Sequence, residues 1–283
     1  MRLIHASWCL MVLLLCPPTA TAHSDLHQQI VALTRAIAAA PTDARLYLQR
    51  GELHRAHHAP RQARADYDRA LALDPSLDAA RLARARLLVE IGQAAKAGPD
   101  LDVFLARHPG HVNATLVRAR ALRERGELAG AAADYDTVLA AAPDPDHGLE
   151  RARLLGATGR DADRQQAVAG LDALMTSLGP IVTLELEAVA LLATSGDYDD
   201  ALARVERAIA RSPRATVWRV RKADLLRQAG RTAEARQAYH DARVALDSSP
   251  PSRRQTPDAQ RTRAAIDTAL ADLSATVQGS SHP

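Results

Sequence analysis

Three histidines near residue 55 are the chain's best candidates for metal chemistry. His57 and His58 follow His54 by three and four residues, a spacing that would bring two imidazole rings to one side of a helix end. A metal site needs a third and preferably a fourth ligand, together with groups that orient them. We therefore predict no metal and no cofactor, with His54 as a packing residue and the other two in a turn. A metal site is the alternative.

Arginine and aspartate recur at a fixed distance that suits ion pairing between two helices. Each of three arginines is followed by an aspartate sixteen residues later, giving Arg50 with Asp66, Arg84 with Asp100, and Arg118 with Asp134. A helix-turn-helix of this length can bring such positions side by side. We predict three ion pairs that set the register between helices, each contributing about 0 to 1 kcal/mol where water reaches it.

A second aspartate lies two residues after each of these three, at Asp68, Asp102 and Asp136. The resulting Asp-x-Asp motif resembles a metal-binding pair. Side chains two apart on a helix point about 200° away from each other, so they cannot hold one ion together. We therefore expect no chelation by this motif.

Composition and motifs exclude several other functions. None of the phosphate-binding, dinucleotide-binding, zinc-protease or serine-nucleophile signatures occurs, so we predict that the chain is not an enzyme. The 36 basic and 33 acidic residues nearly balance, which argues against a nucleic-acid binder. Apolar residues make up 47% of the chain but aromatic residues only 3%. Such an aromatic-poor, alanine-rich and leucine-rich sequence favours an all-α fold.

The first 22 residues have the pattern of a secretory signal peptide. Met1-Arg2 precedes an apolar run that is too short for a membrane span, and Ala20-Thr21-Ala22 ends it with small residues. Cleavage after Ala22 would remove both cysteines, leaving no stable membrane span and no thiol chemistry. We predict an exported, periplasmic or extracellular protein; lipid attachment at Cys16 is the alternative.

Beyond this segment, prolines mark a regular period. Pro41, Pro75, Pro109 and Pro143 are each 34 residues apart, and Pro180, Pro213 and Pro250 follow at similar steps. Small and large residues recur at constant distances before these prolines. Alanine occupies the position twelve residues before at Ala63, Ala97, Ala131 and Ala201, and glycine the position seventeen before at Gly92, Gly126 and Gly196.

This pattern resembles the tetratricopeptide-repeat family, in an exported bacterial form. The best match consists of Tyr47, Gly51, Ala63, Tyr67, Ala70 and Pro75. The resemblance implies a right-handed α-solenoid of about six helix-turn-helix repeats with capping helices. No single repeat can bury its apolar stripe alone, so successive pairs must stack on one another.

The period predicts the organisation of the chain. We expect a signal peptide at 1–22, an N-terminal capping helix at 23–43, a repeat array at 44–250, and a linker, C-terminal capping helix and tail at 251–283. Repeats should start near residues 44, 78, 112, 146, 182 and 216, with irregularities in the fourth and sixth. Thr256 should cap the last helix, whose apolar stripe is Ile266, Leu270 and Leu273, and Asn113 should be a helix N-cap.

The resemblance also implies a ligand-binding surface, because the first helices of successive repeats line a concave groove in the family. On that basis the groove contains Arg86, Arg120 and Arg153 beside Leu82, Leu116 and Leu149. Guanidinium groups among leucines suit an extended peptide that carries carboxylates. The predicted function is a monomeric, non-catalytic scaffold in the cell envelope that binds a protein or peptide partner. Two alternatives are an anionic polymer as ligand, and a solvated surface neutralised by Glu90, Glu124 and Glu150.

Overall fold

The computed structural model describes residues 18–212 and 216–279. Throughout these ranges the regular elements are helices, and no strand occurs in them, which confirms the predicted all-α class. Residues 1–17, with most of the predicted signal peptide and both cysteines, lie outside the described part. None of the described helices combines the length and the apolar character needed to cross a bilayer.

The chain divides into two compact units, Met1–Arg125 and Gly126–Pro283. The described helices of the first unit are α1 (Pro18–Ala39), α2 (Ala44–Ala56), α3 (Pro60–Leu73), α4 (Asp78–Glu90), α5 (Ala94–Arg107) and α6 (Val112–Glu124). Those of the second are α7 (Leu128–Ala141), α8 (Pro145–Ala157), α9 (Asp161–Leu178), α10 (Val182–Ser195), α11 (Tyr198–Arg211), α12 (Thr216–Gln228), α13 (Thr232–Asp247), α14 (Pro251–Arg254) and α15 (Pro257–Gly279).

Helix pairs repeat within each unit. In the first unit α2 packs on α3 and α4 on α5; in the second unit α8 packs on α9, α10 on α11 and α12 on α13. Each second helix also contacts the first helix of the next pair, and first helices contact one another, as α2 does α4 and α4 does α6. The first helices begin within one residue of the repeat starts expected from the proline spacing.

The recurring small and large residues form the core of each pair. Ala63 and Ala97 in the first unit and Ala201 in the second are fully buried. The large residue four positions later is buried as well, for example Tyr67 and Leu101. A Cβ added at Gly51 would lie 2.5 Å from the Tyr67 ring, so glycine is needed there for the two helices to approach.

The turn inside each pair depends on a left-handed residue. Gly92 has a φ of +70°, and its Cβ position is open, so backbone conformation alone selects glycine there. The same conformation recurs at Gly126, Gly159, Gly196 and Gly230. In the first repeat His58 takes this position with a φ of +56°.

Two flanking helices cover the outer repeats. α1 packs on α2 and buries Ile37, and α15 packs on α13 with Ile266, Leu270 and Leu273 buried as predicted. Thr256 caps α15, since its Oγ1 accepts a hydrogen bond from Ala259 N at 3.2 Å. Part of the predicted linker instead forms the one-turn helix α14.

One predicted cap is wrong, and one irregularity is confirmed. His111, not Asn113, caps α6, because its Nδ1 accepts the Ala114 N–H at 3.2 Å and Asn113 already lies inside the helix. The fourth repeat is irregular as expected. Its second helix α9 has 18 residues, whereas α3, α5, α7 and α11 have 14 each.

Candidate functional site

Two of the three ion pairs predicted from the spacing of sixteen residues are present inside the first unit. Arg50 donates from Nε and Nη2 to Asp66 at 2.9 and 2.6 Å, and Arg84 donates likewise to Asp100 at 2.7 Å for both bonds. Hydrogen bonding to Asp100 raises the pKa of Arg84 above its ordinary value. The third predicted pair has Arg118 in the first unit and Asp134 in the second, and it stays a prediction.

The second aspartate of the Asp-x-Asp motif serves the next repeat. Arg84 Nη1 donates to Asp68 Oδ1 at 2.8 Å, so this arginine joins two carboxylates from two successive second helices. Arg50 makes the matching contact backwards, from Nη1 to Thr34 Oγ1 of α1 at 3.2 Å. The two aspartates of the motif therefore serve different arginines, and the cap α1 takes the place of a preceding second helix.

The second unit varies the same scheme. Lys222 Nζ lies 2.5 Å from Glu206 Oε1, sixteen residues earlier. In the fifth repeat the charges are exchanged: Arg204 stands on the second helix and contacts Asp172 at 2.5 Å and Glu185 at 3.5 Å. These pairs maintain helix register with other residue types, which the Arg–Asp spacing alone did not predict.

The histidine cluster is placed as packing and turn residues. His54 is largely buried, with Nε2 3.8 Å from Asp66 Oδ2, and burial lowers its pKa. His57 follows at the end of α2, and His58 lies exposed in the left-handed turn. Among the described residues, no three histidine, cysteine, aspartate or glutamate side chains are grouped so that they could hold a metal ion.

A leucine-lined pocket of about 620 Å³ lies where α1, α2 and α4 meet in the first unit. Its apolar wall is formed by Leu33, Leu48, Leu53 and Leu82, and its polar rim includes Gln29, Gln49, Glu52 and Arg86. Glu52 is fixed on this rim, because Tyr67 donates its hydroxyl to Oε1 at 2.8 Å and Arg55 donates to Oε2 at 3.1 Å. The pocket therefore combines an apolar leucine wall with a polar rim on which Glu52 is held in place by hydrogen bonds.

A second pocket of about 370 Å³ lies next to it, between α4 and α6. Arg86 lines both pockets, and Arg120 lines the second together with Arg123, Val89, Val117, Glu90 and Glu124. Glu90 is engaged by Arg55 at 3.2 Å. Within the described part of the chain, neither Arg86 nor Arg120 has a carboxylate partner. We refer to these two adjoining pockets as the α2–α4–α6 groove.

Comparison with known proteins identifies the family. A family model described as a tetratricopeptide repeat matches residues 82–145 and 186–251. These two segments contain helix pairs of the repeating type described above. Over these two segments the chain consists of tetratricopeptide repeats.

Solved structures share the tetratricopeptide fold at low sequence identity. A tetratricopeptide repeat protein from Parabacteroides merdae is 17% identical with a TM-score of 0.54, over 82% of this chain and 93% of that one. PilW, a type IV pilus biogenesis factor, is 19% identical with a TM-score of 0.50, over 69% and 90%. In the Naa15/Naa10 complex bound to HypK, the matched chain is 15% identical with a TM-score of 0.54, over 89% and 44%. Among curated proteins the chain has no significant match. The tetratricopeptide fold is that of protein–protein interaction scaffolds.

The remaining predicted groove residues of this tetratricopeptide chain have different surroundings. Leu116 is half-buried on α6 and lines neither pocket of the groove. In the second unit Leu149 is half-buried on α8, while Arg153 is exposed and contacts Glu187 at 3.4 Å and Glu150 at 3.7 Å. For Arg153, therefore, the neutralised surface is the description that fits.

Sequence reasoning missed the beginning of the tetratricopeptide groove. Leu48 lies 34 residues before Leu82, and Glu52 lies 34 before Arg86. The same period therefore contained both positions, had it been extended one repeat towards the N-terminus. Gln29 and Leu33 of α1 had no such signal, because the cap is not a complete repeat.

Proposed function

We propose that this chain is a non-catalytic scaffold of the cell envelope that binds an extended acidic segment of a partner protein in the α2–α4–α6 groove. One observation carries the proposal. Two guanidinium groups without carboxylate partners, on Arg86 and Arg120, lie beside a pocket walled by four leucines. Leucines would anchor apolar side chains of the segment, and arginines would bind its carboxylates in the forked geometry that guanidinium favours.

The apolar pocket favours a peptide over an anionic polymer. A polyanion would be held by charge alone, so its affinity would fall steeply as salt increases. A peptide anchored on leucines keeps most of its binding energy in buried contacts, and its affinity would fall much less. The envelope location rests on the signal-like pattern of residues 1–22, and the absence of catalysis rests on the missing enzyme signatures.

The test is a pull-down from envelope extracts with residues 23–283, followed by affinity measurement on the protein recovered. Arg86→Glu combined with Arg120→Glu should remove the principal partner, because both forks would then repel carboxylates. Arg35→Glu combined with Arg61→Glu makes the same charge change at exposed positions that line neither pocket, and should retain it.

Circular dichroism should show unchanged helicity in both double variants. Retention of the partner by the Arg86/Arg120 variant would refute groove binding. A steep loss of affinity between low and high salt would show instead that the ligand is a polyanion.

A further inference from the structure

Arg151 on α8 is a buried arginine that uses only part of its hydrogen-bonding capacity. It is 7% exposed, and its Nε donates to Asp136 Oδ1 of α7 at 2.5 Å. Among the described residues no second carboxylate contacts this guanidinium. An arginine has five N–H donors, and the four that remain are on Nη1 and Nη2.

Two other arginines of this chain hold two carboxylates each. Arg84 binds Asp100 of its own repeat and Asp68 of the repeat before. Arg204 likewise joins Asp172 and Glu185. At Arg151 the partner from the preceding helix is present as Asp136, but the position sixteen residues later is Ala167 instead of an aspartate. The own-repeat carboxylate is therefore missing in the fourth repeat.

A pocket of about 300 Å³ lies beside Arg151 inside the second unit. Its lining includes Arg151 and Asp136 with Pro143, Gly148, Gly170 and Ser177. A Cβ at Gly170 would lie 2.6 Å from Arg151 Nη1, so glycine at this position of α9 leaves room for the guanidinium. The pocket is small, at the lower end of the range for ligand sites.

We propose that this pocket receives a carboxylate from outside the chain, which binds the Nη end of Arg151, as Asp68 binds Nη1 of Arg84. The pair Arg84 with Asp68 and Asp100 shows that one guanidinium in this fold accommodates two carboxylates. The small, partly apolar walls fit a carboxylate on a short aliphatic stem. A glutamate side chain of a partner and a small dicarboxylic acid share this chemistry. The site is separate from the α2–α4–α6 groove.

The first test supplies the missing carboxylate from within the full-length mature chain. Gly170→Asp places an acid against Arg151, while Gly170→Asn fills the same space without charge. We expect Gly170→Asp to melt about 2 to 4 °C above Gly170→Asn at low salt. In an Arg151→Gln background the difference should disappear. Equal melting temperatures of the two single variants would contradict an open carboxylate position.

The second test adds carboxylates at constant ionic strength and follows binding by calorimetry and thermal shift. The probes are succinate against succinamide, and a blocked Ala-Glu-Ala tripeptide against its Gln counterpart. In each couple the acid should bind the wild-type chain about tenfold more tightly, the effect of one charge-assisted hydrogen-bonded pair. Gly170→Asp should abolish this preference, and it remains informative if Arg151→Gln fails to fold.

The two couples identify the source of the carboxylate. Preference for succinate alone indicates a small acid, and preference for the peptide indicates a partner's side chain; either supports the site. No preference in both couples, or an equal preference in Gly170→Asp, would refute it. Arg86→Glu with Arg120→Glu should leave the preference unchanged, so failure of the proposed groove and failure of this site can be told apart.

Discussion

His58 holds the left-handed turn conformation that glycine provides in the later repeats. Its φ is +56°, and the side chain is exposed, so little is lost by removing it. The left-handed conformation costs a non-glycine residue about 1 kcal/mol or more. Glycine avoids this cost, but its greater freedom in the unfolded chain offsets part of the gain. We expect His58→Gly to raise the free energy of unfolding by about 0.5 to 1 kcal/mol in urea titrations. Gly92→Ala, at an open turn with φ +70°, should lower it by a similar amount; a loss of stability in His58→Gly would contradict this account.

Two buried tyrosines make stability depend on alkaline pH. Burial and the hydrogen bond to Asp224, at 2.5 Å, raise the pKa of Tyr239 to about 12, and burial with the bond to Glu52 raises that of Tyr67. In the unfolded chain tyrosine loses its proton near pH 10. The raised values thus stabilise the fold fully below pH 10, and this contribution is lost as pH rises towards 12. Denaturant titrations at pH 9 to 11.5 should show a steeper decline for wild type than for Tyr67→Phe with Tyr239→Phe. Parallel curves would exclude the effect.

The sequence predicts which arginines and aspartates pair between the two helices of a repeat, but it does not predict all of their partners. The spacing of sixteen predicted Arg50 with Asp66, because it is fixed by the length of one helix pair. It did not predict Asp68, whose partner Arg84 belongs to the next repeat and depends on how pairs stack. The cap at Asn113 failed for a related reason: helix α6 begins at Val112, and residue preference alone does not fix where a turn ends.

At the scale of elements, α15 stabilises the end of the array through one stripe of buried apolar residues. Ile266 is fully buried in the core that α12 and α13 share with α15. Ile266→Ala should lower the free energy of unfolding by about 2 to 5 kcal/mol, since the core cannot close the cavity completely. Val244→Ala on the exposed side of α13, where 63% of the residue is accessible, should change it by less than about 0.5 kcal/mol. If Ile266→Ala and Val244→Ala changed the free energy of unfolding equally, in both thermal and urea unfolding, then α15 would not stabilise the repeats it covers.

Helix boundaries can be predicted from the sequence where proline or glycine sets them. Other features of the helices are harder to predict. The 34-residue period gives the starts of α2, α4 and α6, because proline ends one helix and glycine or histidine turns the chain inside each pair. The extra length of the fourth repeat was visible, but not that α9 would place Gly170 against Arg151. Such a juxtaposition depends on the rotation of two helices, which a sequence period does not contain.

At the scale of the molecule, contacts inside each unit join neighbouring helices of the repeat order. Stability in such a fold is approximately a sum of repeat terms and nearest-neighbour terms, so damage should stay local. The chain offers a local probe. Of the two tryptophans, Trp8 lies in the predicted signal peptide, so residues 23–283 retain only Trp218, which is 3% exposed in the core of the second unit.

Circular dichroism and Trp218 fluorescence, followed in one unfolding experiment, should therefore show which part of the chain a substitution destabilises. Gly51→Ala should cost about 1 to 3 kcal/mol, because its Cβ would overlap the Tyr67 ring in the first repeat. Circular dichroism averages over all helices and should register that loss, whereas the midpoint of Trp218 fluorescence should move less. Ile266→Ala should do the reverse and shift the fluorescence midpoint more. If both variants moved both midpoints equally, the repeats would unfold as one cooperative body, and the nearest-neighbour description would not hold for this chain.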